Sequence, residues 1–306
     1  GTSNFRAGVN AGDAIVSGGN YNVVVGDEAG TALTTGDNNV AVGFEALATE
    51  DAHGNNVAVG YRALKVLNVG AIGFNTAVGE NSGLAMTTGT ENTLLGGRTG
   101  LALTDADYNV AVGKSALSTD TLGSRSTAVG YSALATQNFT TATETNNTAV
   151  GYGAGSGVTT GINNTLIGTG VGDAITTGVQ NSFLGSYAGT GITTGGDNIG
   201  IGFSALATED AHGKNVAIGT QALTTLNAGA DGFSVAVGYQ AGTAITTGLY
   251  NTLVGALTGV ALTDADTNVA LGNAAIRADT LGSKTTAIGY QALTAQNFTT
   301  ATDSHN

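Results

Sequence analysis

The chain has 306 residues, 50 of them Gly, with no Pro, Cys or Trp and a single Met; 41% are hydrophobic and only 10% charged. Glycine without proline or a three-residue period excludes collagen, and the apolar fraction excludes a solvated, disordered coil. A net charge of −13 opposes binding to nucleic acid or anionic lipid, and no apolar run is long enough for direct membrane insertion. What remains is an ordered, repetitive β structure.

The repeat appears along the chain as a short sentence opened by a polar residue. The openers in the first half are Asn4, Asn22, Asn39, Asn56, Asn75, Asn92, Asn109 and Ser126. Asn147, Asn164, Asn181, Asn198, Asn215, Ser234, Asn251, Asn268 and Thr285 follow. Most steps are 17 residues; the first is 18, those after Asn56 and Asn215 are 19, and those after Ser126 and Thr285 are 21. A longer period lies above this one: ALATEDAHG at 46–54 returns at 205–213, and QNFTTAT at 137–143 returns at 296–302, both 159 residues on. Nine repeats therefore make a duplicated module, and we divide the chain into 1–146 and 147–306 of one continuous array. Gly1 in place of an initiating Met, and a repeat broken off at Asn306, suggest a piece of a longer chain.

Within each repeat the three residues after the opener favour a strand, and the fourth is always Gly, as at Gly43, Gly60, Gly79 and Gly151. Such a Gly marks a turn of positive φ or a close backbone approach. A second short strand is expected beyond it. There an aliphatic stands either eight residues after the opener, as in Leu47 and Leu117, or eleven after it with Gly at the eighth, as in Leu33 and Met86. Asn56 and Asn215 open repeats with both, through Leu67 and Leu226. One large side chain per coil suits a narrow stacked core. The fold expected is all-β: a parallel β-solenoid, or β-roll, of about 17-residue coils spaced about 4.8 Å apart. Asn39, Asn56, Asn75 and Asn147 are expected to stack as a hydrogen-bonded ladder at one turn.

The strand alternates its faces. We assign Val57 and Val59 to the coil's own core. The opposite row, through Val24, Ala41, Ala58 and Ala128, is then a small-residue stripe where identical chains approach.

Chemistry is sparse, and no catalytic constellation stands out. His53 and His212 each follow Glu-Asp-Ala and read as polar loop residues; His305 stands apart. Asp105/Asp107 and Asp264/Asp266 are weak calcium candidates that lack an EF-hand's spacing; no other cofactor is indicated. The long steps are expected to bulge sideways as loops without adding coils. We take Phe74, Asn138, Phe139, Phe233, Asn297 and Phe298 in them as candidate contacts with a receptor, a matrix or a neighbouring fibre.

NVAVGYRAL and NTAVGYGAG resemble the YadA-like head repeats of trimeric autotransporter adhesins. They also resemble the NTAVGYQAL…TTG repeats of phage tail fibres and related fibre proteins. The likeness covers essentially the whole chain, although the 17-residue spacing exceeds that of the adhesin head repeat. The resemblance implies a homotrimeric β-roll in an extracellular fibre at a cell or virion surface. The function expected is structural or adhesive and non-catalytic. A tail-fibre shaft or receptor-binding region is the alternative. Outside that class, the Thr-Thr-Gly loops raise an ice-binding solenoid.

Overall fold

The computed structural model describes residues 3–306. The chain divides into two compact units, 1–153 and 154–306, so the division falls inside the coil opened by Asn147. In the first unit, three-residue strands run from Phe5–Ala7 to Thr148–Val150, each parallel to and in register with the next. In the second, the same ladder runs from Thr165–Ile167 to Thr286–Ile288. Each unit is thus a parallel β-solenoid.

The register stacks like positions: Ala58 faces Ala41 in one neighbouring coil and Ala77 in the other. Ala58, Ala77 and Leu94 are fully buried, whereas Val57 and Val59 are half-buried. The face assignment made from sequence is therefore reversed. The Ala row lines the coil's own core, and the Val row looks out. Small residues fit inside because a coil this narrow must also hold the aliphatic from its far side.

That far side is not a second strand. Arg62 and Leu64 have φ of 56° and 48°, a left-handed conformation incompatible with extended pairing. A buried Leu in this conformation costs about 1–2 kcal/mol in backbone strain, which burial of its side chain, about 1.5–3 kcal/mol, offsets. Coils with Gly at this place avoid the strain and fill the core from three residues further on. The two routes exclude one another at ordinary coil length: a Cβ on Gly30 would lie 2.8 Å from Leu33 Cδ1. In the longer coil of Asn56 both Leu64 and Leu67 are buried, and the next coil makes room with Gly83, where a Cβ would lie 2.7 Å from Leu64 Cδ2.

Coil junctions are held by the openers. Oδ1 of Asn22 accepts from the backbone N–H of Asn39 at 2.8 Å, Asn39 Oδ1 from Asn56 at 3.0 Å, and Asn56 Oδ1 from Asn75 at 3.1 Å. The Nδ2 groups mostly close their own coils, Asn75 donating to Gly89 O at 2.8 Å and Asn92 to Ala106 O at 2.7 Å. The ladder thus runs chiefly from side chain to backbone. From Asn22 on every such amide is buried, and its donor and acceptor sides are both needed, which Asp does not supply; the Ser234 hydroxyl fills both roles, accepting from Asn251 N and donating to Gly232 O, each at 3.2 Å. Where Ser126 replaces Asn, Gln137 enters the core: its Nε2 donates to Ser126 Oγ at 2.9 Å and its Oε1 accepts from Asn147 Nδ2 at 2.9 Å. After each strand the Gly turns the chain; Gly60 has φ 135°, and a Cβ there would lie 2.5 Å from Gly79 O. Gly43, Gly79 and Gly151 share the conformation, with φ of 130–140°.

Candidate interaction surface

The outward strand face follows from the alternation. From Val25 to Ile288, the third residue of every main strand is Val, Leu or Ile, and none is fully buried. Exposure is 48% at Leu184 and Leu271 and reaches 67% at Ile288. The residues just outside the strands add aromatic rings. Phe44 stacks on Tyr61 with centroids 5.7 Å apart, Tyr131 on Tyr152 at 5.3 Å, and Phe233 on Tyr250 at 5.6 Å. Cations cover some of them: Arg62 lies 4.9 Å from the Tyr61 centroid, Arg125 5.0 Å from Tyr108, and Lys214 Nζ 5.1 Å from Phe233. Arg62 and Lys65 also converge on Glu45, at 2.6 and 2.9 Å. Hydrogen bonding from Lys65 and then Arg62 outweighs desolvation and lowers the Glu45 pKa.

The predicted contact residues divide. Phe74 and Phe233 are exposed but belong to the aromatic margin of this face, each just before an opener and with φ near 50°. Asn138 and Asn297 are exposed and accept from Thr121 and Thr280 hydroxyls at 3.2 Å. Phe139 is only 7% exposed, so it packs inward and is not a contact residue; Phe298 is half-buried. The outward part of the longest loop is instead Thr140, Thr141 and Ala142, all exposed. They are looped out because Leu122 pairs with Phe139 on one side and Thr143 on the other. Beyond them Thr143–Glu144 pairs with Gly123–Ser124 as a second short parallel ladder, repeated at Gly282–Ser283 and Thr302–Asp303. In the 19-residue steps Gly70, Ala71 and Ile72 play the same outward part.

A row of buried acids was not anticipated from the sequence. Glu50, Asp120, Glu209 and Asp279 are completely buried, each eleven residues after its opener. Each stands in the coil preceding a long one and holds that coil's bulge by a backbone amide. Asp120 Oδ1 accepts from Gly123 N at 3.1 Å and Phe139 N at 2.9 Å, and its Oδ2 from Gln137 Nε2 at 2.5 Å. Glu50 accepts from His53 N at 3.2 Å and Val69 N at 3.3 Å. Burial pushes the Glu50 and Glu209 carboxyls above the ordinary carboxylate range. The signal lay in the repeat: where an aliphatic stood eighth and none eleventh, the eleventh residue was Asp, Glu or Gln.

The Asp-x-Asp pairs reach back to the preceding coil. Asp105 accepts from the Thr88 hydroxyl at 2.6 Å and Asp107 from Thr90 N at 2.7 Å; Asp264 and Asp266 do likewise with Thr247 and Leu249. Among the described residues, the His, Asp and Glu clusters that bring three ligand atoms together are Glu50/Asp51/His53 and Glu209/Asp210/His212.

Fold and surface together define a β-solenoid repeat protein with an apolar, aromatic-edged sheet face. Comparison with protein-family models, with curated proteins and with solved structures finds no match to the chain. Among the described residues no helix is long and apolar enough to cross a membrane.

Proposed function

We propose that this chain is a structural or adhesive segment of an extracellular fibre, at a cell or virion surface, assembled as a homotrimer and without catalytic activity. The observation that carries the reading is the outward aliphatic row, exposed at Val78, Leu184, Ile201 and Leu271. Parallel strands apolar on both faces are normally covered on both, and an apolar stripe repeated coil after coil is an association surface. In-register stacking gives identical chains matching rows, which suits closed symmetry about an axis. The aromatic margin and the exposed loops at 70–72 and 140–142 remain available to a receptor or matrix. A tail-fibre shaft draws equal support from the same row.

Ice binding has less support. A regular Thr row needs free hydroxyls, and those of Thr104 and Thr176 donate to Thr121 O at 3.0 Å and Thr193 O at 3.1 Å in the next coil.

Light scattering coupled to size-exclusion chromatography tests the assembly. The expected result is a trimer at micromolar concentration that Leu184→Lys with Leu271→Lys converts to a monomer of unchanged circular dichroism. A stable wild-type monomer would overturn the fibre reading.

A further inference from the structure

We propose that the turn Glu50-Asp51-Ala52-His53 and its repeat Glu209-Asp210-Ala211-His212 are two sites for a borderline divalent transition metal, with Zn2+ the ion of first choice. The starting observation is that Nδ1 of His53 and Nδ1 of His212 are buried and have no hydrogen-bond partner. Leaving such an atom unsatisfied is costly, because its lost hydration is not replaced. Each Nδ1 faces a fully buried carboxylate: Glu50 Oε1 at 3.8 Å and Glu209 Oε1 at 3.7 Å. That is too long for a hydrogen bond, but it is the right separation for two ligands of one ion. With metal–nitrogen and metal–oxygen bonds of about 2.0–2.2 Å, it subtends roughly 125° at the metal, between tetrahedral and five-coordinate values.

The third ligand is the adjacent acid. One ligand atom from each of the three residues lies within 4.8 Å of the others in both turns. Glu50 Oε2 is oriented by Val69 N at 3.3 Å and Glu209 Oε2 by Ala228 N at 3.3 Å, outer-shell contacts of the kind that fix a ligating carboxylate. An imidazole with two carboxylates suits zinc better than calcium, whose sites are built from oxygen alone. Three protein ligands leave one or two positions for water.

The two turns agree where their surroundings do not. Asn55 and Ile72 beside the first correspond to Lys214 and Asp231 beside the second, yet the acid pair, the His and the orphaned Nδ1 recur. The Lys214–Asp231 pair closes on itself at 2.5 Å, leaving the second cluster's charge unchanged.

The test is zinc binding by the whole chain after chelation and dialysis, with bound metal read by elemental analysis and the ring nitrogens by 15N NMR. Two ions per chain are expected, one after His53→Ala and none after His53→Ala with His212→Ala. Circular dichroism of the double variant should match wild type, since each His side chain is about one-third exposed. On binding, Nδ1 should take the metal and Nε2 keep the proton. Zinc that persists in the double variant, an absence of zinc in the wild type, or an Nδ1 still protonated in its presence would each overturn the proposal. Because oligomeric state is measured separately, failure here leaves the fibre reading intact.

Discussion

Phe183 and Gly200 face each other across neighbouring strands, and the Phe ring fills the space a side chain on Gly200 would need: a Cβ there would lie 2.7 Å from Phe183 Cδ1. The row that holds Ala in most coils carries here its largest side chain and, next to it, no side chain at all. Volume is conserved between adjacent coils, as a close-packed interior requires.

Gly200→Ala is accordingly expected to destabilise the protein by about 1–3 kcal/mol through overpacking. In a Phe183→Leu background the same change should be neutral or stabilising, because Ala outperforms Gly in a strand by about 0.5–1 kcal/mol. The fold already uses that pairing at Leu94, which lies between Ala77 and Ala111. Urea denaturation of the four proteins of the double-mutant cycle gives the coupling; additive effects would mean the two residues do not share space.

The reversal of the strand faces makes a second prediction. Ala58→Asp should cost about 4 kcal/mol or more, because the carboxylate enters a closed core without a partner. Val59→Asp should cost about 1 kcal/mol in the isolated chain, yet weaken self-association. Thermal melts and sedimentation separate the two effects, and a Val59→Asp variant as unstable as Ala58→Asp would contradict the register.

The coil length, the parallel solenoid and the exchange of Leu for Gly were legible because each depends on chain-local periodicity. Which strand face turned inward was not. Val-Ala-Val is apolar on both sides, and alternation decides a face only when one side is polar. Residue size was the misleading cue, since Ala58 is inside because Leu64 fills the space from the opposite wall. The buried acids were hidden for a related reason: Glu50 and Asp120 look like loop residues until the next coil's amides are placed against them. Phe139 looked like an exposed loop tip, and its burial follows from that same anchoring, with its N–H held by Asp120.

Acid sensitivity should have a small, assignable component at Glu45. Lys65 and Arg62 lower its folded-state pKa, so it stabilises the protein above its unfolded-state value, and that contribution is lost as pH falls through the folded value. The pair is near the surface, which limits the effect to about 1 kcal/mol. Urea midpoints across this acid range should fall less steeply for Glu45→Gln than for wild type, and parallel profiles would remove the assignment.

The long loops are tolerated because buried acids anchor them. Asp120 binds the amide of Phe139 in the following coil while also holding its own turn at Gly123, so one carboxylate keeps both ends of the bulge at 140–142 in register. Asp120→Ala removes both acceptors and leaves one N–H of the completely buried Gln137 amide without a partner, the other still donating to Ser126 Oγ. The expected cost is about 1–3 kcal/mol for each buried donor left unpaired, concentrated in this coil. Local opening should come before global unfolding: amide exchange at Phe139 and Thr143, and proteolysis within 140–142, should accelerate well ahead of the strand amides of Val110–Val112. Asp120→Asn is the sharper variant. Its Oδ1 can still accept from Gly123 and Phe139, but its Nδ2 opposes the donor on Gln137, so the loop should be partly held while one N–H of the Gln137 amide loses its acceptor and the other keeps Ser126 Oγ. The fully buried Asp279 occupies the same place 159 residues later, and Asp279→Ala should free 299–301 while leaving 140–142 protected. Equal exchange at both loops in either single variant would show that the acids do not anchor the bulges one by one.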